Sequence, residues 1–375
     1  MLKRIKWKHY IAYIVLAIVT VVFAVQSFSG NLKSSEIYML EKIAISIILA
    51  VSLSMVVGFL GELSLGHAGF MCVGAYLGGK ASVLLEPMLG DFPALIVSIL
   101  IGGALAAIFG VIIGLPALRL RGDYLAIVTL AFGEIVRSLF MNSTEETFGG
   151  PLGMSTPRFD KKMLFIIAFV LVIACLAVTQ NLIRSKHGRA ITSIRDNEIA
   201  AKATGINVTK YKLVVFTVSS FFAGVAGVLY SYTNYTVQST NFDYNYSIEI
   251  LVMVVLGGMG SINGSIIAAT LITFLDMKLQ TILTGDLAVL QDLFYALILI
   301  VMVIYNNAPA LKGFREKYSL KKLMAKIRKH NPAHAKDDEA QWDRVPTKIQ
   351  MDEVLSVDLQ VSSPYTPDKG GKETE

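Results

Sequence analysis

The sequence predicts an all-α, polytopic integral membrane protein. It is expected to have about ten transmembrane segments, both termini in the cytoplasm and a disordered C-terminal tail. Three observations carry this. Apolar residues make up 54% of the 375 and charged residues only 17%, against about a quarter charged in soluble domains. The apolar excess is gathered into runs long enough to cross a bilayer. Lysine and arginine collect in alternate connections between those runs, where orientation signals belong.

Taken in order, Lys3, Arg4, Lys6 and Lys8 precede an apolar run at 10–28. It is too long for a signal-peptide core and reads as a retained span. A second span covers about 38–60. The glycine-rich GELSLGHAGFMCVGAYLGG at 61–79 opens a third, which ends near Leu85. Pro87, Gly90, Asp91 and Pro93 make a turn, and the fourth span, 94–115, stops at Pro116. Loop 116–123 carries Arg119 and Arg121, and a fifth span follows at 124–141. Residues 142–160 are polar and rich in Gly and Pro, so they read as a loop. The sixth span is 163–179, the polar stretch 180–212 follows, and the seventh span is 213–232. Residues 233–247 are polar and aromatic, which suits a membrane interface. Short segments at 248–258 and about 265–280 break at Gly257-Gly258, and a tenth span is expected at 290–305. The segments around 61–85 and 248–280 also fit re-entrant or broken helices.

Ten spans put both ends on one side. The N-terminus, loops 116–123 and 180–212, and the segment 306–330 together hold 21 lysines and arginines. The opposite connections hold four, Lys33, Arg158, Lys161 and Lys162. The basic side is cytoplasmic by the positive-inside rule. The net charge of +6 therefore reflects topology and gives no reason to invoke nucleic acid. Two cysteines, Cys72 and Cys175, lie in apolar runs and supply neither a disulfide framework nor a metal site. KKLMAKIRK at 321–329 suits an amphipathic helix on anionic lipid. Residues 331–375 carry ten acids and five bases with few large apolar residues, and read as disordered.

The polar stretch KHGRAITSIRDNEIAAKATGIN, 186–207, organises the rest. It reads as a short capped helix on the cytoplasmic side. Asp196 or Asn197 can cap its start, and Glu198 sits where the helix dipole favours an anion. Glu198 and Lys202 are four apart and can pair. Ala200, Ala201 and Ala203 favour helix. Gly205 suits the left-handed position past the end, with Ile206 folding back on Ala201. Such a helix is what a partner would grip; the bland alternative is an amphipathic loop helix that binds nothing.

Three further groups are candidates for a solute path. Glu62, Ser64 and His67, in the first glycine-rich region, line the pathway, or else Glu62 and His67 are simply solvated at the cytoplasmic interface. Gly257, Gly258, Ser261 and Asn263 belong to LVMVVLGGMGSINGS at 251–265, either a hairpin turn or a broken helix that offers backbone groups to a solute. Glu134 and Arg137 are three apart in an apolar span, so they share a face and can pair. Charges inside a membrane default to a functional hypothesis, and a zwitterion could use both signs. GAYLGGKA at 74–81 approaches a phosphate-binding loop through Gly74, Gly79 and Lys80. Ala81 stands where Ser or Thr must hold magnesium, and no strand leads into it.

The run Glu198-Ile199-Ala200-Ala201 followed by Gly205 resembles the EAA loop of bacterial ABC-importer permeases, with one residue inserted after the glutamate. GRAITSIRDNEIAAKATGIN, GELSLGHAGFMCVGAYLGG, LRLRGDYLAIVTLAFGEIVR (118–137) and VMVVLGGMGSINGS (252–265) are together similar to the LivM-type permeases of branched-chain amino acid importers, in that family's order. The resemblance covers roughly residues 38–315. It implies a multi-pass protein of the bacterial inner membrane that translocates leucine, isoleucine or valine, or a related solute such as urea or a short amide. It implies no cofactor and no ATPase site in this chain. The implied partners are two cytoplasmic ABC ATPase subunits, a second homologous permease subunit of LivH type, an extracytoplasmic substrate-binding protein and membrane lipid. Arg189, Arg195, Asp196, Glu198, Ala200, Ala201 and Gly205 would form the ATPase-coupling loop. The expected division is an N-terminal span and outer loop (1–37), the permease domain (38–305) with its coupling loop (180–212), a basic juxtamembrane segment (306–330) and the tail (331–375). The rival from another class is an ion-coupled secondary transporter, which needs acids deep in the membrane. Besides Glu134, only Glu41, near an interface, and Asp276, near a span end, stand in the spans.

Overall fold

The computed structural model describes residues 11–29, 32–120 and 122–282, with positions 296, 297 and 300. The first ten residues, most of the expected tenth span at 290–305, the basic segment 306–330 and the tail 331–375 lie outside the described residues. Within them, helix follows helix. α1 is Ile11–Phe28, and α2 is Ser34–Leu60. α2 is apolar on every side, which marks a helix buried all round. From Ile43 to Val57 every residue of it is buried. It is the central post, packed by α6 (Lys161–Arg184), α9 (Val208–Asn234), α10 (Tyr244–Gly257) and α11 (Ile262–Ile282).

α3 (His67–Leu89), α4 (Asp91–Ala117) and α5 (Asp123–Met141) complete the set of spans. α4 carries Pro93 in its first turn, where a missing N–H is tolerated. α4 and α5 bury one stripe and leave apolar side chains outside, including Leu100, Ile108 and Ile112 on α4 and Ile127, Ile135 and Leu139 on α5. Such faces suit lipid or a neighbouring subunit. Among the described residues, seven helices are long and apolar enough to cross a membrane, and the apolar part of α1 and α10 are shorter. The protein is thus helical and polytopic, with fewer full-length spans described than the ten expected.

Several boundaries differ from the sequence reading. Residues 61–66 are not the start of a span; they form a non-helical link between α2 and α3. Its polar backbone is served by a neighbour, the Leu65 N–H donating to Thr129 Oγ1 (3.0 Å), and in the first turn of α3 the Ala68 N–H donates to Ser247 Oγ (3.1 Å). α3 runs on past Leu85 to Leu89, with Pro87 inside its last turn. Residues 142–160 are not irregular throughout. They hold a helical turn, Glu145–Phe148, and a two-residue strand β1 (Met154–Ser155) pairs antiparallel with β2 (Thr236–Val237). Glu41 is buried within the protein, 0% exposed.

Two stretches depart from α-geometry. The last six residues of α2, Met55–Leu60, and the stretch Gly74–Gly78 in α3 are π-helical. Such widened turns recur at functional sites. The second lies where α3 meets α9 backbone to backbone. A Cβ at Gly74 would collide with the Gly224 backbone, and one at Gly227 with the backbone of Met71. Small residues at a helix crossing permit this approach in membranes.

Candidate functional site

The polar stretch after α6 folds as two short helices rather than one. α7 is Lys186–Asp196 and α8 is Glu198–Ala203. Ser185 caps α7, accepting from the His187 and Gly188 N–H groups. Asp196 ends α7, so Asn197 alone caps α8: its Oδ1 accepts from Ile199 N and Ala200 N, both at 3.0 Å. At the other end Gly205 has φ +85°, a conformation that favours glycine. Gly205 N–H donates to Lys202 O (3.0 Å) and Ile206 N–H to Ala201 O (3.1 Å). These are the two bonds of a Schellman closure. Glu198 pairs with Lys202 at 2.7 Å.

α8 thus has an anchored side and a free side. Ala201 is buried, while Ala200, Lys202 and Ala203 are exposed. Ile199 is 72% exposed, an unusual place for a large aliphatic side chain on a polar loop. Arg189 is exposed on α7.

The anchored side is ionic. Lys212, in the second turn of α9, is 2% exposed. Its Nζ donates to Glu62 and, at 3.3 Å, to Glu198. Glu62 lies in the link after α2, so one buried ammonium joins three elements. An isolated ion there would be costly to desolvate, and two carboxylates offset that cost. A second contact lands beside the first. Arg195 pairs with Asp196 (3.0 Å) and donates from Nη1 to the Gly58 carbonyl oxygen in the π-turn (3.2 Å). Its aliphatic stem lies over Gly61, where φ is +80° and a Cβ would strike it.

The turn between α10 and α11 reaches the same end of the bundle. Gly260 lies against Gly58, and Arg195 Nη1 is the next neighbour of its Cβ position. Gly258 and Gly260 have φ of +88° and +82°. Ser261 caps α11, its hydroxyl accepting from Gly264 N (3.2 Å). Gly257 is packed on the Gly264 backbone. Ser261 and Asn263 line a 250 Å³ cavity with Phe59, Gln180 and Arg184. The motif is a tight hairpin at the end where α7 and α8 lie.

The first glycine-rich group is not solvated. His67 is 2% exposed, with Nε2 at 2.8 Å from Ser52 Oγ, and Ser64 is 2% exposed. Both belong to the helix core. Glu62, the third member, is turned to Lys212. Glu134 and Arg137 do pair, at 2.8 Å, with side chains 27–31% exposed. They border a shallow outward hollow with Ser138 and Asn142. Gly74 and Gly79 are helical and buried, so the near-match to a phosphate loop is span interior. Lys212 went unnoticed in the sequence because it reads as one more orientation charge at the head of a span.

A buried helical bundle with seven candidate spans and an anchored, two-helix polar loop defines a polytopic membrane protein. The family model for the permease component of branched-chain amino acid transport systems matches residues 36–305. The chain belongs to that family. It is 35% identical over 316 residues to the high-affinity branched-chain amino acid transport system permease protein LivM of Salmonella typhimurium, covering 75% of this chain and 71% of that one. It is 39% identical over 262 residues to LivM of Escherichia coli, covering 61% and 60%. The ribose import permease protein RbsC of Escherichia coli is 26% identical over 292 residues, covering 72% and 84%. The likeness thus extends to permeases named for sugars.

Proposed function

We propose that this chain is one membrane half of an ATP-driven importer for leucine, isoleucine and valine in a bacterial inner membrane. It works beside a second, LivH-type permease. Two cytoplasmic ATPase subunits hydrolyse ATP, and an extracytoplasmic binding protein delivers the solute. One observation carries the reading. α8 is closed at both ends and anchored beneath, and it presents Ile199 to the outside. A small helix with an apolar knob and a rim of Ala200, Ala203 and Gly205 fits a cleft on a partner.

When the ATPase pair closes, α8 is carried with it and the spans switch access. The Glu134–Arg137 pair and the hairpin residues Gly257, Gly258, Ser261 and Asn263 are the path candidates. The first suits a zwitterion by holding both signs at a half-exposed face. Urea or a short amide is the alternative cargo of the same machine.

A mild-detergent pull-down from native membranes tests this. Two ATPases and a second permease should accompany the chain, and the solute held by the co-purified binding protein names the cargo. Glu198→Lys should abolish uptake while the chain stays in the membrane. A chain that comes alone, even after cross-linking at 196–205, overturns the reading.

A further inference from the structure

We infer that Lys212 is the positioning residue through which movement of the coupling helix α8 reaches the central helix α2. The inference rests on the importer reading and deepens it. α8 could in principle pull on the bundle only through its own chain, by way of α7 into α6 and through residues 204–207 into α9. The structure offers a shorter route. Glu198 on α8 and Glu62 after α2 share the Lys212 ammonium. The two carboxylates are held in one place by a group that water does not reach.

Three features favour transmission over mere stability. First, the contacts converge. Arg195, from the turn just before α8, binds Gly58, so two independent side chains grip the stretch 58–62. Second, Arg195 holds a carbonyl inside the π-helical end of α2, Met55–Leu60, and Lys212 holds Glu62 two residues beyond it. Third, what is gripped is the end of the most fully buried of the candidate spans among the described residues, in contact with α6, α9, α10 and α11. A shift delivered there reaches four helices at once. The α10–α11 hairpin, resting on Gly58, receives it directly. Lysine suits this role because a single point charge can hold two carboxylates on separate elements at once.

The experiment uses the full complex with its ATPases and binding protein in proteoliposomes, and reads solute taken up per ATP hydrolysed. The solute is the one its binding protein carries. Glu62→Gln, Lys212→Met and Lys212→Arg are compared with wild type, together with the yield of assembled complex. Glu62→Gln is expected to assemble normally yet move at least tenfold less solute per ATP. Lys212→Met should lower the ratio likewise in whatever complex assembles, and Lys212→Arg should recover most of the ratio. A purely structural role would lower yield and leave the ratio intact in whatever assembles. A normal ratio in Glu62→Gln overturns the inference, and that variant decides the matter even if Lys212→Met fails to fold. Absence of branched-chain uptake by wild type, with another solute carried instead, overturns the cargo reading alone, since the ratio is then read with that solute.

Discussion

Two of the ion clusters among the described residues contrast in reach and burial. Glu134 and Arg137 are neighbours on one turn of α5, both about a third exposed. Glu62, Lys212 and Glu198 come from three elements, and the cation between them is 2% exposed. The first pair costs the chain little to make and holds nothing together beyond its own helix. The second exists only when the fold is complete. Burial, more than the number of charges, decides which cluster constrains the structure: a solvated pair contributes a fraction of a kcal/mol, whereas breaking a buried one leaves a stranded charge.

That contrast can be broken most directly at Lys212. Lys212→Ala should destabilise the protein by about 3–5 kcal/mol, because two partly buried carboxylates lose their shared cation. Thermal unfolding in detergent should show a clearly lowered midpoint, and an unchanged midpoint would erase the distinction. Asn197→Ala comes next, at about 1 kcal/mol, by loss of the cap on α8. Its effect should be confined to faster amide exchange over 198–206, separating the helix's own closure from its ionic anchor. Glu134→Gln should cost less than about 1 kcal/mol in stability. Leucine uptake by Glu134→Gln and Arg137→Ala then asks whether the pair serves the path: the expected result is a reduced rate at normal membrane levels, and normal rates in both would remove it from the path. Lys202→Ala is the smallest change, a few tenths of a kcal/mol. Uptake should stay close to wild type, since Glu198 keeps Lys212.

What the sequence disclosed follows the same division. The Asn197 cap, the Glu198–Lys202 pair, the Gly205–Ile206 closure and the Glu134–Arg137 pair all depend on spacings of two to five residues, which the helix period makes readable. The apolar runs placed most spans, because a bilayer demands length and little else. Lys212 and Arg195 were beyond that reach. Their partners Glu62 and Gly58 lie 150 and 137 positions away in the chain, and only the packing of the end of α2 beside α7 and α9 brings them together. His67 misled for a related reason. A histidine at the head of a span looks solvated until the hydroxyl of Ser52, from another helix, is seen beside it.

The meeting of α3 and α9 at Gly74, Gly224 and Gly227 has a mechanical consequence. Where helices touch through side chains, rotamers can yield and a push is partly absorbed before it is passed on. Here backbone meets backbone, with no room for even a methyl group. α9 begins beside α8 and carries Lys212 near its start. A displacement imposed at that end therefore travels along a strut with almost no slack, and α3 has to go where α9 goes.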